Sequence, residues 1–152
     1  HQLNATVVLS NSTIAGTVAS LSILTSADGR ETTRIDLTAT MLTLDRRQSS
    51  LTPDSNSSGA PNVKNWFPQN RTRLYAPLAD ALPPTAESQS AVRFSVRVFV
   101  DGSVLEVFVN ERVVLTGLVF PTLEDAIHIR TPSAEVTALD VWLLQSAAPI
   151  PS

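Results

Sequence analysis

The chain has no cysteine, which removes disulfide staples, thiolate nucleophiles and sulfur-rich metal sites together. Histidine is almost as scarce: His1 and His128 are the only two, and neither has a companion at metal-ligand spacing. Charged residues make up 16% of the sequence, against about 25% in typical soluble proteins. Serine and threonine fill the gap, with 17 and 16 residues. A net charge of −3 and a pI near 5.2 argue against a nucleic-acid partner, which calls for a basic footprint. No apolar run approaches the ~20 residues of a membrane-crossing helix, so no membrane partner is expected. A Gly-x-Ser-x-Gly elbow and a phosphate-cradling glycine loop are both missing. The sequence implies no cofactor and no metal.

What the sequence does have is a succession of short β-type runs without a convincing helical period. At 152 residues it is long enough for one domain with a sizeable core, read as residues 1–146 with a proline-rich tail at 147–152. Leu3–Leu9 is a candidate strand, followed by a turn near Asn11. Val18–Thr25 and Thr32–Leu37 suggest a hairpin around Asp28-Gly29-Arg30, where a three-residue loop would pair Ile23 with Ile35 and Leu21 with Leu37. Met41–Leu44 follows, with Leu42 and Leu44 on one side and Thr43 and Asp45 on the other. Residues 47–91 then break the rhythm with six of the ten prolines and much Ser and Asn, and read as a long loop. Ser49–Pro61 would be its most mobile part, while Trp66, Phe67 and Tyr75 would pin the rest. Strands resume at Val92. Many strands and frequent turns point to an all-β sandwich or barrel.

The most informative stretch is Arg97–Pro121. Asp101-Gly102 between two β-branched runs is a hairpin signal, because a type I′ turn needs positive φ at both central residues. A two-residue loop there would place Val98 opposite Leu105, Val96 opposite Val107 and Phe94 opposite Val109, apolar at every rung. The other face would hold Phe99 with Val104, Arg97 with Glu106, Ser95 with Phe108 and Arg93 with Asn110. A one-residue slip would scramble both faces. Phe99, Val104 and Phe108 around an Arg97–Glu106 pair make this outer face apolar for a solvated surface, and such patches mark interfaces. The loop at 47–91, a neighbouring domain or a partner subunit is expected to cover it.

The same residues resemble the C-terminal domain of glycoside hydrolase family 32, the invertases, inulinases, levanases and fructosyltransferases. The resemblance rests on Val100-Asp101-Gly102-Ser103, on Glu106-Val107-Phe108-Val109-Asn110, and on Val113 to Phe120-Pro121. Thr25-Ser26 with Asp28-Gly29, Leu44-Asp45-Arg46 before Ser49, and Val141-Trp142 fit further landmarks. Arg112 departs from the pattern, since many relatives have Gly in that turn. The resemblance implies a two-sheet antiparallel, lectin-like β-sandwich. It also implies a separate, preceding five-bladed propeller that carries the two catalytic carboxylates. The propeller signatures Trp-x-Asn-Asp-Pro, Arg-Asp-Pro and Glu-Cys are absent here, so no catalytic residue carries over. The implied role is a non-catalytic brace for that propeller, with dimer formation in some relatives. The whole protein would hydrolyse or transfer β-fructofuranosyl units of sucrose or fructans as a retaining enzyme.

Could the chain catalyse alone? A retaining glycosidase needs carboxyls about 5–5.5 Å apart. Asp101 and Glu106 are the tempting pair, but four strand residues separate the turn from Glu106, on the order of 13 Å. Asp101 and Gly102 instead shape the turn, and Glu106 pairs with Arg97. His128, in Ile127-His128-Ile129-Arg130, should turn away from the isoleucines to the surface. Trp66, Tyr75 and Trp142 have the rings to stack on a sugar, although such residues more often fill a core or anchor a loop. An independent carbohydrate-binding module and a structural surface domain are therefore the alternatives. Four sequons, at Asn4, Asn11, Asn56 and Asn70, lean toward an N-glycosylated, extracellular protein, with the vacuole or cell wall as other destinations. Neither an initiator Met nor a signal peptide precedes the strand-like Ala5–Leu9, so the sequence is read as a piece of a larger protein.

Overall fold

The computed structural model describes residues 2–10, 19–51, 73–79, 91–131 and 136–142. Ten strands account for most of them: β1 (Gln2–Ser10), β2 (Ala19–Thr25), β3 (Thr32–Leu37), β4 (Met41–Gln48), β5 (Arg73–Pro77), β6 (Ala91–Asp101), β7 (Val104–Val109), β8 (Val113–Leu118), β9 (His128–Arg130) and β10 (Val136–Trp142). They form two five-stranded antiparallel sheets. Sheet A runs β10-β1-β6-β7-β8 and sheet B runs β5-β4-β3-β2-β9.

Alternation along each strand explains why the sheets stack. The inward residues of sheet A include Phe94, Val96, Val98, Leu105, Val107 and Val109, and those of sheet B include Leu21, Ile23, Ile35, Leu37, Leu42 and Leu44, all buried. Their packing is the sandwich core. At one side the sheets approach closely: a Cβ added to Gly117 of β8 would lie 2.8 Å from Leu44 Cδ2 of β4. Beside it, Arg46 is buried and donates from Nη1 to the Leu118 carbonyl at 2.9 Å, tying the edge of sheet A to sheet B.

Both hairpins keep their expected faces but shift their partners by two residues. In β6–β7, Val98 lies opposite Val107, Val96 opposite Val109 and Asp101 opposite Val104. The reason is the turn. Asp101 has no positive φ, while Gly102 has φ +55°, so Gly102 and Ser103 are the central residues, with the single positive φ at the first position that a type II′ turn requires. Since the side-chain period is two, the shift leaves every apolar residue inside but breaks the expected Arg97–Glu106 rung. Arg97 lies opposite Phe108, Glu106 lies opposite Phe99, and Arg97 pairs with Glu111 at 3.3 Å instead.

In β2–β3, Leu21 pairs with Ile35 and Ile23 with Thr33, not with Leu37 and Ile35. The ladder then jumps to the Ser26 N–H donating to the Glu31 carbonyl at 2.9 Å. Leu24, at φ +47°, and Thr25 thus stand against Thr32 alone, a bulge that the letters do not announce.

The expected long loop at 47–91 is also interrupted. Strand β4 continues to Gln48, Ser49 and Ser50 are buried, and Arg73–Pro77 forms the edge strand β5. Pro77 is tolerated because it ends an edge strand, where a missing N–H costs no ladder bond. The turn at Asn11, Phe67, the tail at 147–152 and the remainder of 47–91 lie outside the described residues.

The turn between β7 and β8 is where both central φ values are positive: Asn110 (+52°) and Glu111 (+57°), closed by the Arg112 N–H donating to the Val109 carbonyl at 3.1 Å. This is the sign pattern of type I′, and it explains why Arg112 needs no glycine. Asn110 tolerates the left-handed region and its side chain accepts from the Ser95 N–H at 2.7 Å. Glu111 has no such excuse. We expect Glu111→Gly to raise the unfolding free energy by about 0.5–1 kcal/mol, read as a higher urea midpoint at unchanged slope; a lower midpoint would contradict the turn assignment.

Candidate functional site

Two outward faces remain once the core is assigned. On sheet A, the β6–β7–β8 face carries Phe99 and Phe108 in a T-shaped contact, with ring centroids 5.6 Å apart and an interplanar angle of 81°. Both rings are half-buried, and around them Val104, Val114 and Leu118 are 38%, 48% and 39% exposed. Arg97 and Glu106 share this face, and Asp101 and Gly102 are exposed at its rim. A contiguous apolar strip of this kind is typical of an interface.

Sheet B presents the opposite character. One rung across four strand pairings reads Arg130, Ser22, Arg34, Asp45, Arg73. Asp45 is its centre: Arg47 grips the carboxylate through Nε and Nη2 at 3.0 and 2.7 Å, and Arg73 Nε donates at 3.0 Å. Burial works against the Asp45 charge, but the hydrogen bonds from Arg47 and then Arg73 outweigh it and hold the carboxyl well below the usual range. Next to it, Arg34 pairs with Asp36 at 2.8 Å, and Asp36 also accepts from the Ser20 hydroxyl.

A bulge in β4 shapes this surface. Thr32 lies opposite Gln48 and Arg34 opposite Asp45, leaving Arg46 and Arg47 against Thr33. The extra residue lets Arg46 turn inward while Arg47 and Gln48 both reach the outer face, the re-aiming for which bulges are used. Thr32, Arg34, Asp45, Arg47 and Gln48 consequently line an open cavity of about 230 Å³. None of Arg34, Arg47 or Arg73 stands out in the sequence, because residues far apart in the chain meet only through strand order. The one available signal was the Asp45-Arg46-Arg47 run.

A third feature links loops. Glu31 is fully buried, and its carboxylate accepts from the backbone N–H of Leu51 (2.7 Å), Thr122 (3.0 Å) and Leu123 (2.9 Å) and from the Thr122 hydroxyl. Burial pushes its pKa up; these donors together pull it further down, leaving it below its ordinary value. Among the described residues no cation pairs with it.

Asp101 and Glu106 are not brought together: Asp101 faces Val104 and Glu106 faces Phe99. Among the described residues no group of three His, Asp or Glu side chains is placed to hold a metal. His128 is exposed in β9, but Ile127 is 70% exposed too, because it precedes the strand and escapes the expected alternation. Tyr75 is 58% exposed on β5. Trp142 lies in β10 opposite Gln2, and Trp66 and His1 lie outside the described residues. Asn4 sits in β1 between β6 and β10, while Asn11, Asn56 and Asn70 lie outside the described residues.

Two stacked antiparallel sheets, with acids that serve as clamps, define a β-sandwich module. The chain belongs to the glycosyl hydrolases family 32 C-terminal family, whose model matches residues 1–143. No curated protein sequence matches it. Among solved structures it is similar to a β-fructofuranosidase of Aspergillus kawachii complexed with glycerol, at TM-score 0.61 and 21% identity, covering 84% of this chain and 20% of that one. An exo-inulinase of Aspergillus awamori gives TM-score 0.59 and 19% identity over 91% of this chain and 23% of that one. The fructosyltransferase of A. japonicus gives 0.61 and 22%, over 86% and 19%. The chain therefore spans about a fifth of the length of the solved structures it resembles.

Proposed function

We propose that this chain is the non-catalytic C-terminal sandwich of a secreted β-fructofuranosidase-type enzyme, and that it braces an N-terminal propeller holding the catalytic carboxylates. The observation that carries this reading is the family match over residues 1–143. The apolar strip of Phe99, Val104, Phe108, Val114 and Leu118 supports it as the surface offered to the propeller or to a second subunit in a homodimer. The parent protein would hydrolyse or transfer β-fructofuranosyl units of sucrose or fructans. Residues 1–146 act as one unit in this role, with 147–152 as a tail. Strand β1 is hydrogen-bonded on both sides, which makes Asn4 a poor loop-type acceptor. Glycosylation accordingly falls to Asn11, Asn56 and Asn70.

Assaying the full chain against sucrose and inulin tests the division of labour. No reducing sugar above the uncatalysed rate is expected; real turnover would refute it. Titrating inulin while following tryptophan fluorescence tests the carbohydrate-binding alternative, and a saturable change would replace bracing with binding.

A further inference from the structure

The outer face of sheet B is built for a ligand of a different kind. It gathers three guanidinium groups, Arg34, Arg47 and Arg73, against two carboxylates, Asp36 and Asp45, while Arg130 at the end of the same rung donates to the Ala27 carbonyl, on a chain whose net charge is −3. The carboxylate and threonine oxygens there are already engaged. Asp45 Oδ1 accepts from the Arg47 backbone N–H and Nε, and Oδ2 accepts from Arg47 Nη2 and Arg73 Nε. Asp36 accepts from Arg34 and from the Ser20 hydroxyl, and the Thr32 hydroxyl is shared with Thr25. The donors are not used up. Asp36 takes only Nη2 of Arg34, and Asp45 takes only Nε and Nη2 of Arg47. The exposed Gln48 amide stands beside them in the same cavity of about 230 Å³.

A neutral sugar needs acceptors as well as donors for its hydroxyl groups; this cavity offers the remaining N–H groups of two guanidiniums against the amide oxygen of Gln48. We propose that the cavity lined by Thr32, Arg34, Asp45, Arg47 and Gln48 binds an oxyanion, a phosphoryl or carboxylate group, through Arg34 and Arg47. The fixed forks suit such a group, because Asp45 holds Arg47 and Asp36 holds Arg34 in place before the ligand arrives. The site is independent of the bracing role.

Calorimetric titration of the full 152-residue chain with sodium phosphate at pH 7, with ionic strength held constant by sodium chloride, tests it. One saturable site is expected. Arg34→Gln should weaken it by at least about tenfold, the loss expected for one charge-assisted contact. Gln48→Glu adds a negative charge at an exposed position and should abolish binding while leaving the thermal midpoint unchanged, so it decides the matter even if Arg34→Gln folds poorly. A parallel titration with sodium acetate separates the two sources. Tighter phosphate indicates a phosphoryl ligand, and tighter acetate indicates a carboxylate. Absence of saturable binding by both anions, equal binding by Gln48→Glu, or tighter binding of D-fructose than of either anion would overturn the proposal.

Discussion

Replacing Glu31 with Gln is expected to cost about 3 kcal/mol or more, a large part of the roughly 5–15 kcal/mol that holds a domain of this size together. The substitution keeps the shape but not the chemistry. Every group facing the Glu31 carboxylate is a donor: three backbone N–H groups and one hydroxyl. An amide can accept with its oxygen only, and its NH2 would confront another N–H in a site where Glu31 is fully buried. The residues so released, Leu51 and Thr122-Leu123, belong to two separate loops, so both would loosen together. Urea unfolding at pH 7 measures the loss, and a change below about 0.5 kcal/mol would show that the clamp is not holding these loops.

The same residue predicts an acid dependence. Because the folded-state pKa of Glu31 lies below its ordinary 4.5, folding favours the ionised form. Its contribution is fully present above pH 4.5 and fades as pH falls through the lower folded value. Asp45 acts in the same direction. The wild-type chain should therefore lose stability between pH 5 and pH 3, and Glu31→Gln should lose less over that interval.

Phe94→Ala is the other large effect, about 3–5 kcal/mol. Phe94 is a fully buried aromatic ring, on β6 opposite Val7 and packed with the inward residues of both sheets. Truncation leaves a cavity between two stiff layers that cannot close over it, so the transfer and cavity costs add. The midpoint should fall with little change in urea slope. A loss under about 1 kcal/mol would mean that the ring is not wedged in the core.

Much of this arrangement could be read from the letters, and where reading failed the cause is local geometry. The faces of Phe94, Val96 and Val98 follow from alternation alone, and so does the outward placing of Phe99 and Phe108. Partner identity did not follow, because it depends on which residue takes the positive φ. Gly102 alone suffices in one turn, and Asn110 with Glu111 serve in the other. The bulge at Leu24 and the one opposite Thr33 carry no compositional mark. The charged rung of sheet B was hidden for a different reason: Arg34, Asp45, Arg73 and Arg130 become neighbours only through strand order. Glu31 carries no mark in the sequence, since three of its four donors are backbone N–H groups that every sequence possesses.

Strand β1 lies between β6 and β10, so its two neighbours are residues 91–101 and 136–142. On the ribosome β1 therefore emerges long before its own sheet partners exist. At about 5–20 residues per second, some 80 residues of further synthesis leave Ala5–Leu9 unpaired for roughly 4–16 s. Chaperone engagement of the nascent chain should concentrate in that interval, and sheet A closes only once the last strand has been translated.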